Sequence, residues 1–316
     1  MSVWPHIERL IARDGAAALV SLTAVEGSTP REAGARMVVA PDGTLSGTVG
    51  GGELEHALYG TALRMLAPPA QPIGVTVRHV LGPDLGQCCG GVAEARIEVF
   101  SREDAVWIAP LAQAEEQGAF ATIAVSDSGG RLIRTLAAVG DAGGAVEHFG
   151  ILRTPLALFG AGHVGRALVL ALAPLPFSIS WIDTRRDAFP PVVPGETRLS
   201  VTDDPAALVA ELASGTLVAV MTQSHALDLA IVDAALRRAD LPYVGLIGSQ
   251  TKRARFLSRL AASGVTPAER ARLICPIGGR RLADKAPAVI AAAIAVELLA
   301  QREVMQAPEF VLSAAT

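Results

Sequence analysis

Short apolar runs, each cut off by a polar stretch carrying glycine or proline, recur along the whole chain. In the first half, Met1 to Arg13 mixes apolar and charged positions in the manner of an amphipathic helix, and Ala16 to Val25 is an apolar run that reads as a buried strand. Ala35 to Ala40 and Thr44 to Val49 flank Pro41-Asp42-Gly43, which predicts a hairpin. A helical pattern follows Gly50-Gly51-Gly52, from Glu53 to Leu66, and stops before Pro68-Pro69. Pro72 to Leu81 and Val92 to Phe100 read as strands around a Gly82 to Gly91 loop. Next come a helix over Asp104 to Gln117, a strand over Ala119 to Val125, and a turn at Asp127 to Gly130 leading into Arg131 to Ala137. Gly140 to Arg153 has one short strand-like run and no long apolar core, so it reads as the end of a first domain (1–150) and the linker to a second (151–316).

The second half opens on Pro155-Leu-Ala-Leu-Phe159, which runs into Gly160-Ala161-Gly162-His163-Val164-Gly165 and then an alanine- and leucine-rich helix from Arg166 to Ala173. Each glycine has a steric reason: Gly160 for the tight turn, Gly162 for close approach of a phosphate to backbone, Gly165 for packing of helix on strand. The next apolar run, Phe177 to Ile182, leads into Asp183, at the distance where a dinucleotide-binding unit places a carboxylate for a ribose diol. Strands at Thr197 to Val201, Thr216 to Thr222 and Tyr243 to Ile247 alternate with helices. One of those helices, Ala206 to Ala213, is announced by Asp204-Pro205 as N-cap and first helical residue. Leu273 to Gly279 and a final helix over Lys285 to Arg302 close the chain. The fold class is α/β, an N-terminal α/β domain followed by a Rossmann-like, doubly wound parallel sheet. The ligand crevice of such a sheet lies at the carboxyl ends of its strands, where Gly162, Asp183, His225 and the turn from Ser249 to Arg255 all fall.

Length changes this picture little, since 316 residues suit two domains. Charge narrows the function: 27 basic against 31 acidic side chains, net −4, gives no basic face for nucleic acid. The chain start has no export pattern, and the apolar segment from Ala286 to Ala300 is broken by Pro287 and Glu297, so a soluble cytoplasmic protein without membrane contact is expected. Three cysteines, two of them adjacent, form neither a disulfide framework nor a zinc spacing.

The candidate chemistry is mostly backbone. Two glycine-rich turns open helices, at Gly50 to Gly52 and Gly160 to Gly165, and amides at a helix start favour an anion. At the first, the competing reading is close backbone packing, with Glu53 and Glu55 stabilising the first helical turn. His163 is either a ligand contact or a plain first-turn residue. Lys252 and Arg253 either hold a phosphate tail or form a solvated helix face. Cys88 and Cys89 lie in a glycine loop with little side-chain cover, which suits a reactive thiol. No Lys, Arg or His lies between Gly82 and Gly91 to depress their pKa, so a charge such as Arg31 or Arg36 would have to approach. Cys275, leaving a short apolar run, reads as a core residue. No nucleophile elbow, metal-ligand helix or paired catalytic carboxylate is present. An NAD(P)-dependent oxidoreductase is the alternative enzyme reading, with His225 as its proton donor; no Tyr-x-x-x-Lys pair exists to replace it.

Glu26-Gly27-Ser28-Thr29-Pro30-Arg31 with Gly34-Ala35-Arg36-Met37, Gly50-Gly51-Gly52-Glu53-Leu54-Glu55 and Gln87-Cys88-Cys89-Gly90-Gly91 resemble the N-terminal domain of the XdhC/CoxI family. Gly160 to Gly165, Asp183, Gly248-Ser249 with Lys252, and Pro276-Ile277-Gly278 resemble that family's C-terminal Rossmann domain. The resemblance implies a non-catalytic accessory protein of xanthine dehydrogenase. Such a protein would bind molybdenum cofactor in its molybdopterin form, keep it available for sulfuration by a cysteine desulfurase, and deliver it to the molybdenum subunit. It implies cofactor contacts at Gly50, Gly51, Gly52, Glu55, Gly160, Gly162, His163, Gly165, Asp183, His225, Ser249 and Lys252, with Cys88 and Cys89 as soft thiolates toward the metal. Residual affinity for NAD(P) and self-association are further expectations. The chain departs from the family pattern at Thr222-Gln223-Ser224-His225, where a second histidine is often found.

Overall fold

The computed structural model describes residues 2–67, 74–82, 90–126, 131–137, 145–195, 197–279, 282 and 284–306. The chain divides into two units, Met1–Leu152 and Arg153–Thr316.

In the first unit, helix α1 (Trp4–Asp14) precedes strand β1 (Ala16–Glu26), and β2 (Arg36–Val39) and β3 (Leu45–Gly47) form the expected hairpin. Helix α2 (Gly52–Leu66), β4 (Gly74–Val80) and β5 (Val92–Ser101) complete an antiparallel sheet of order β3-β2-β1-β5-β4. Both faces of β1 are covered, which explains its unbroken apolar run: Ala18, Val20 and Leu22 pack under α2, while Ala17 and Leu19 pack with Trp4, Ile7 and Ile11 of α1. Helix α3 (Ala105–Gln117) joins the α1 side through Ile108 and Leu111. Its Glu115 carboxylate accepts from the Val3 and Trp4 amides at 2.7–2.9 Å, capping α1 from across the unit.

Strands β6 (Phe120–Ser126), β7 (Leu132–Leu136) and β8 (Ala145–Phe149) make a separate antiparallel sheet of order β7-β6-β8. The stretch expected as linker therefore contributes a paired strand to the first unit. Phe149 explains why: it is buried, stacked on Phe120 at 5.8 Å and tilted against Trp4 at 5.0 Å. Arg134 of β7 is buried between Glu98 and Glu147, its Nη2 2.7 Å from Glu98 Oε2. Burial alone would lower its pKa, but the two carboxylates push it up.

The second unit is a six-stranded parallel sheet of order β11-β10-β9-β12-β13-β14, built from β9 (Thr154–Phe159), β10 (Phe177–Asp183), β11 (Thr197–Val201), β12 (Leu217–Val220), β13 (Tyr243–Leu246) and β14 (Leu273–Ile274). This is the doubly wound order, with its switch point between β9 and β12. Helices α4 (His163–Leu172) and α8 (Pro287–Gln306) cover one face, and α5 (His225–Leu236) and α6 (Gln250–Ala262) the other; a short α7 (Pro267–Ala271) precedes β14. The sheet is apolar on both sides, and Leu156, Leu158, Leu217 and Val218 are fully buried. Cys275 lies in the core, where burial pushes its thiol pKa up.

The helix expected over Ala206 to Ala213 is instead a 3-10 turn, Ala207–Glu211. Asp204 does accept from the Ala207 amide, at 3.2 Å. But the Arg238 guanidinium draws on the Val209, Ala210 and Leu212 carbonyls at 2.8–3.3 Å, and so competes for acceptors that a longer α-helix would use.

Candidate functional site

The glycine turn after β9 sits at the switch point and is closed from three sides. Gly160 has φ +113°, and a Cβ there would stand 2.4 Å from the Met221 carbonyl oxygen at the end of β12. A Cβ on Gly165 would stand 2.2 Å from the Gly160 oxygen, so α4 can seat only on a glycine. Trp181 Nε1 donates to the same oxygen at 3.0 Å. Gly162 differs: its φ is −73° and nothing lies within 4 Å of where its Cβ would be. It is the N-cap of α4, and no side chain caps that helix. The first-turn amides of α4, beside exposed His163, therefore face open space with the positive end of the helix dipole behind them.

Asp183 takes a different place from the ribose ligand expected of it. It is 6% exposed, and Oδ2 accepts from the Ala161 amide at 2.7 Å. Arg185 donates to the same carboxylate from its backbone N and from Nε at 3.0 Å, and from Nη2 at 3.1 Å. Burial would raise the carboxyl pKa; the Arg185 and Ala161 hydrogen bonds outweigh it and hold it low. Asp183 thus fastens the glycine turn from the neighbouring strand. Arg185 Nη1 reaches on to Gln223 Oε1 at 2.9 Å, across the carboxyl ends of the strands.

The helix starts after β12 and β13 are capped internally. Ser224 Oγ accepts from the Leu227 amide at 3.3 Å, and Ser249 Oγ from the Lys252 amide at 3.1 Å. Lys252 is neither a free phosphate ligand nor a solvated surface charge: Nζ lies 2.6 Å from Asp228 Oδ2 and 2.9 Å from the Ile247 carbonyl. Asp228 is fully buried and also accepts from the Thr222 amide at 3.0 Å and Thr222 Oγ1 at 2.7 Å. One signal for this pair is visible in the chain itself, an acid on the inner face of an apolar helix. Exposed His225 begins α5 and lines, with Gln223, Ser249, Thr251 and Arg255 among others, a cavity of about 490 Å³. A smaller cavity beside Asp183 and Thr184 shares Thr222 and Gln223 with it.

In the first unit, three glycine segments converge. A Cβ on Gly50 (φ +129°) would stand 2.6 Å from Pro30 Cβ, and one on Gly91 would stand 2.4 Å from the Ser28 oxygen. Gly91 also donates to that oxygen at 3.0 Å. The Gly50-Gly51-Gly52 turn is already served by an acid of its own helix. Glu55 Oε2 accepts from Thr48 Oγ1 at 2.5 Å, the Val49 amide at 2.9 Å and the Gly51 amide at 3.2 Å. Those bonds hold its pKa low against the effect of burial. Glu55 and Gly52 also border a shallow cavity with His56 and Tyr59. Arg36 does not serve as a free charge for a thiol: Nη1 donates to the His148 carbonyl at 2.8 Å and the guanidinium lies 3.9 Å over the Phe149 ring. Cys88 and Cys89 lie outside the described residues. Among the described residues no cluster of three His, Cys, Asp or Glu is placed to hold a metal ion, and no helix is long and apolar enough to cross a membrane.

A doubly wound parallel sheet with a glycine turn between its first strand and first helix defines a Rossmann unit. A family model described as the XdhC Rossmann domain matches residues 156–298, and one described as the XdhC and CoxI family matches residues 10–78. The chain belongs to the XdhC and CoxI family. It is 26% identical over 305 residues to an uncharacterised protein, YqeB, of Escherichia coli (strain K12), a match covering 95% of this chain. That is 46% of YqeB, so the chain spans about half the length of this curated relative. A crystal structure described as a xanthine dehydrogenase from Bacillus halodurans shares the fold, with TM-score 0.78 and 20% identity over 99% of this chain and 100% of that one.

Proposed function

We propose that this chain is an accessory protein of xanthine dehydrogenase that binds molybdenum cofactor in its molybdopterin form, supports its sulfuration by a cysteine desulfurase, and delivers it to the enzyme's molybdenum subunit. Family membership supports the accessory role. The observation that carries the binding role is the bare start of α4 beneath Gly162. A terminal phosphate fits there, because the first-turn amides and the helix dipole offer fixed positive charge that no internal acid has taken.

The residues divide the work. The Gly162, His163 and Val164 backbone would hold a phosphate, and Asp183 keeps the turn in shape through the Ala161 amide. Glu55 makes the Gly50 to Gly52 turn a poor anion site, so any contact there would use the turn's surface with His56 and Tyr59. When bound, the cofactor supplies a dithiolene-held metal whose soft character suits the Cys88 and Cys89 thiolates. Self-association is part of the proposal.

The oxidoreductase reading draws on the strand order, which many proteins without that activity share, and on His225 as proton donor. Co-elution on gel filtration of molybdenum cofactor with the purified protein, challenged with NAD and FAD, separates the two. Retention of molybdenum cofactor against both competitors is expected. Tight NADPH binding with hydride transfer to any substrate would replace this proposal with the oxidoreductase.

A further inference from the structure

The cavity at the carboxyl ends of β12 and β13 has an electrostatic imbalance that the glycine turn does not explain. Its cations are Lys252, Arg255 and Arg259, and Lys252 is neutralised by Asp228. Arg255 and Arg259 are exposed, and among the described residues neither guanidinium group has an ion-pair or hydrogen-bond partner. They stand four residues apart on α6, so they share one face, and two like charges at that spacing repel. Both residues border the same cavity.

The other walls suit a small organic molecule. Ile247 and Phe256 give an apolar surface, while Gln223, His225, Ser249 and Thr251 offer polar groups. A volume of about 490 Å³ falls within the usual range for ligand sites, about 300–1,000 Å³. The helix start contributes little, since Ser249 caps it. The charge is in the guanidinium groups, whose planar fork matches a phosphoryl group two bonds at a time. The two arginines stand on α6, after β13, while the wall nearest the glycine turn is formed by Thr222 and Gln223 after β12, the neighbour of β9.

We infer that Arg255 and Arg259, with His225 and Thr251, form a second phosphoryl-binding site, for a phosphate or diphosphate carried on a nucleoside-sized body. The site is independent of the molybdenum cofactor reading and stands or falls without it.

The test is calorimetric titration of the full chain at low salt with adenosine 5′-monophosphate, inorganic pyrophosphate, inorganic phosphate and neutral adenosine. The phosphorylated probes bind saturably and adenosine does not. Tighter binding of the nucleotide than of inorganic phosphate identifies a nucleotide site, and equal binding a free-phosphate site. Arg255→Gln and Arg259→Gln each weaken binding about tenfold, the loss expected for one charge-assisted hydrogen bond, and the double variant weakens it about a hundredfold. Because both side chains are exposed, thermal stability of the variants stays at the wild-type value. Gly162→Asp, which fills the glycine turn with a carboxylate, leaves this affinity intact. The inference is overturned if no phosphorylated probe saturates, if the double variant binds as wild type, or if Gly162→Asp rather than the arginine variants removes binding.

Discussion

Asp183 offers the sharpest separation between a ligand-binding acid and a structural one. Its carboxylate closes the Ala161 amide, and Ala161 is 1% exposed, so Asp183→Ala leaves a buried donor with no acceptor, a loss of about 1–3 kcal/mol. The Arg185 pair adds less, because that guanidinium is 38% exposed and screened by water; about 0–1 kcal/mol is appropriate. Asp183→Ala should therefore destabilise the second unit by about 1–4 kcal/mol. Asp183→Asn keeps an oxygen for Ala161 but replaces Oδ1, which accepts from the Arg185 backbone N–H and Nε–H, with an amide nitrogen, so it loses those bonds with the charge, about 1–2 kcal/mol. Urea unfolding followed by circular dichroism, with unchanged m-values, gives both numbers. The acid limb carries the same information. The folded pKa of Asp183 is depressed, so its contribution is complete above the unfolded value near 3.9 and is lost as pH falls through the folded one. Asp183→Asn should flatten that limb. If both variants keep wild-type stability while ligand affinity falls, Asp183 is a ligand contact and the tether argument is wrong.

Glu55→Ala should lose about 1 kcal/mol by uncapping the Gly51 turn. Since its folded pKa is also depressed, its contribution to stability is present above about pH 4.3 and disappears as pH falls through the folded value, a step absent in Glu55→Gln by urea titration at several pH values. Gly165→Ala should destabilise by more than about 2 kcal/mol despite alanine's better helix propensity, because the new methyl meets the Gly160 oxygen; Gly162→Ala, with open space around it, should stay within about 0.5 kcal/mol of wild type in the same thermal melts. Asp228→Ala should cost about 3–5 kcal/mol by removing the buried carboxylate that serves the partly buried Lys252 ammonium and the Thr222 amide and hydroxyl, and adding Lys252→Met should recover a large part of it in a double-mutant cycle.

The architecture was legible because the central strands β9, β12 and β13 are apolar runs ended by a glycine or polar turn, and such runs form buried parallel strands. The glycine roles were legible too, since steric demand belongs to the residue type: Gly160, Gly162 and Gly165 show the positive φ, the open approach and the tight seat. What the sequence could not reveal is which charges find partners within the fold. Asp183, Glu55 and Lys252 each read as a ligand contact, and each is engaged by a group two or more residues away: Arg185, the Gly51 amide and Asp228. Spacing along the chain specifies neither rotamer nor register, so these pairings needed coordinates. Arg134 between Glu98 and Glu147 is the same lesson in the first unit, as the three residues lie on three different strands. The short strand ending at Phe149 was hidden for another reason: five residues beside Gly143-Gly144 are too few to show a periodicity, and its pairing with β6 and the burial of Phe149 are long-range.

The central claim is that the bare start of α4 holds the cofactor's phosphate, and Gly162→Asp tests it most directly. The position has φ −73° and open space, so an aspartate fits, and as an N-cap it should leave stability level or improve it by a few tenths of a kcal/mol, about 0.3. Its carboxylate would occupy the amides that a phosphate needs. Equilibrium dialysis of molybdenum cofactor against wild type and Gly162→Asp is expected to show saturable binding by the first and none by the second, at equal thermal stability. Equal retention of cofactor by both proteins would contradict the account.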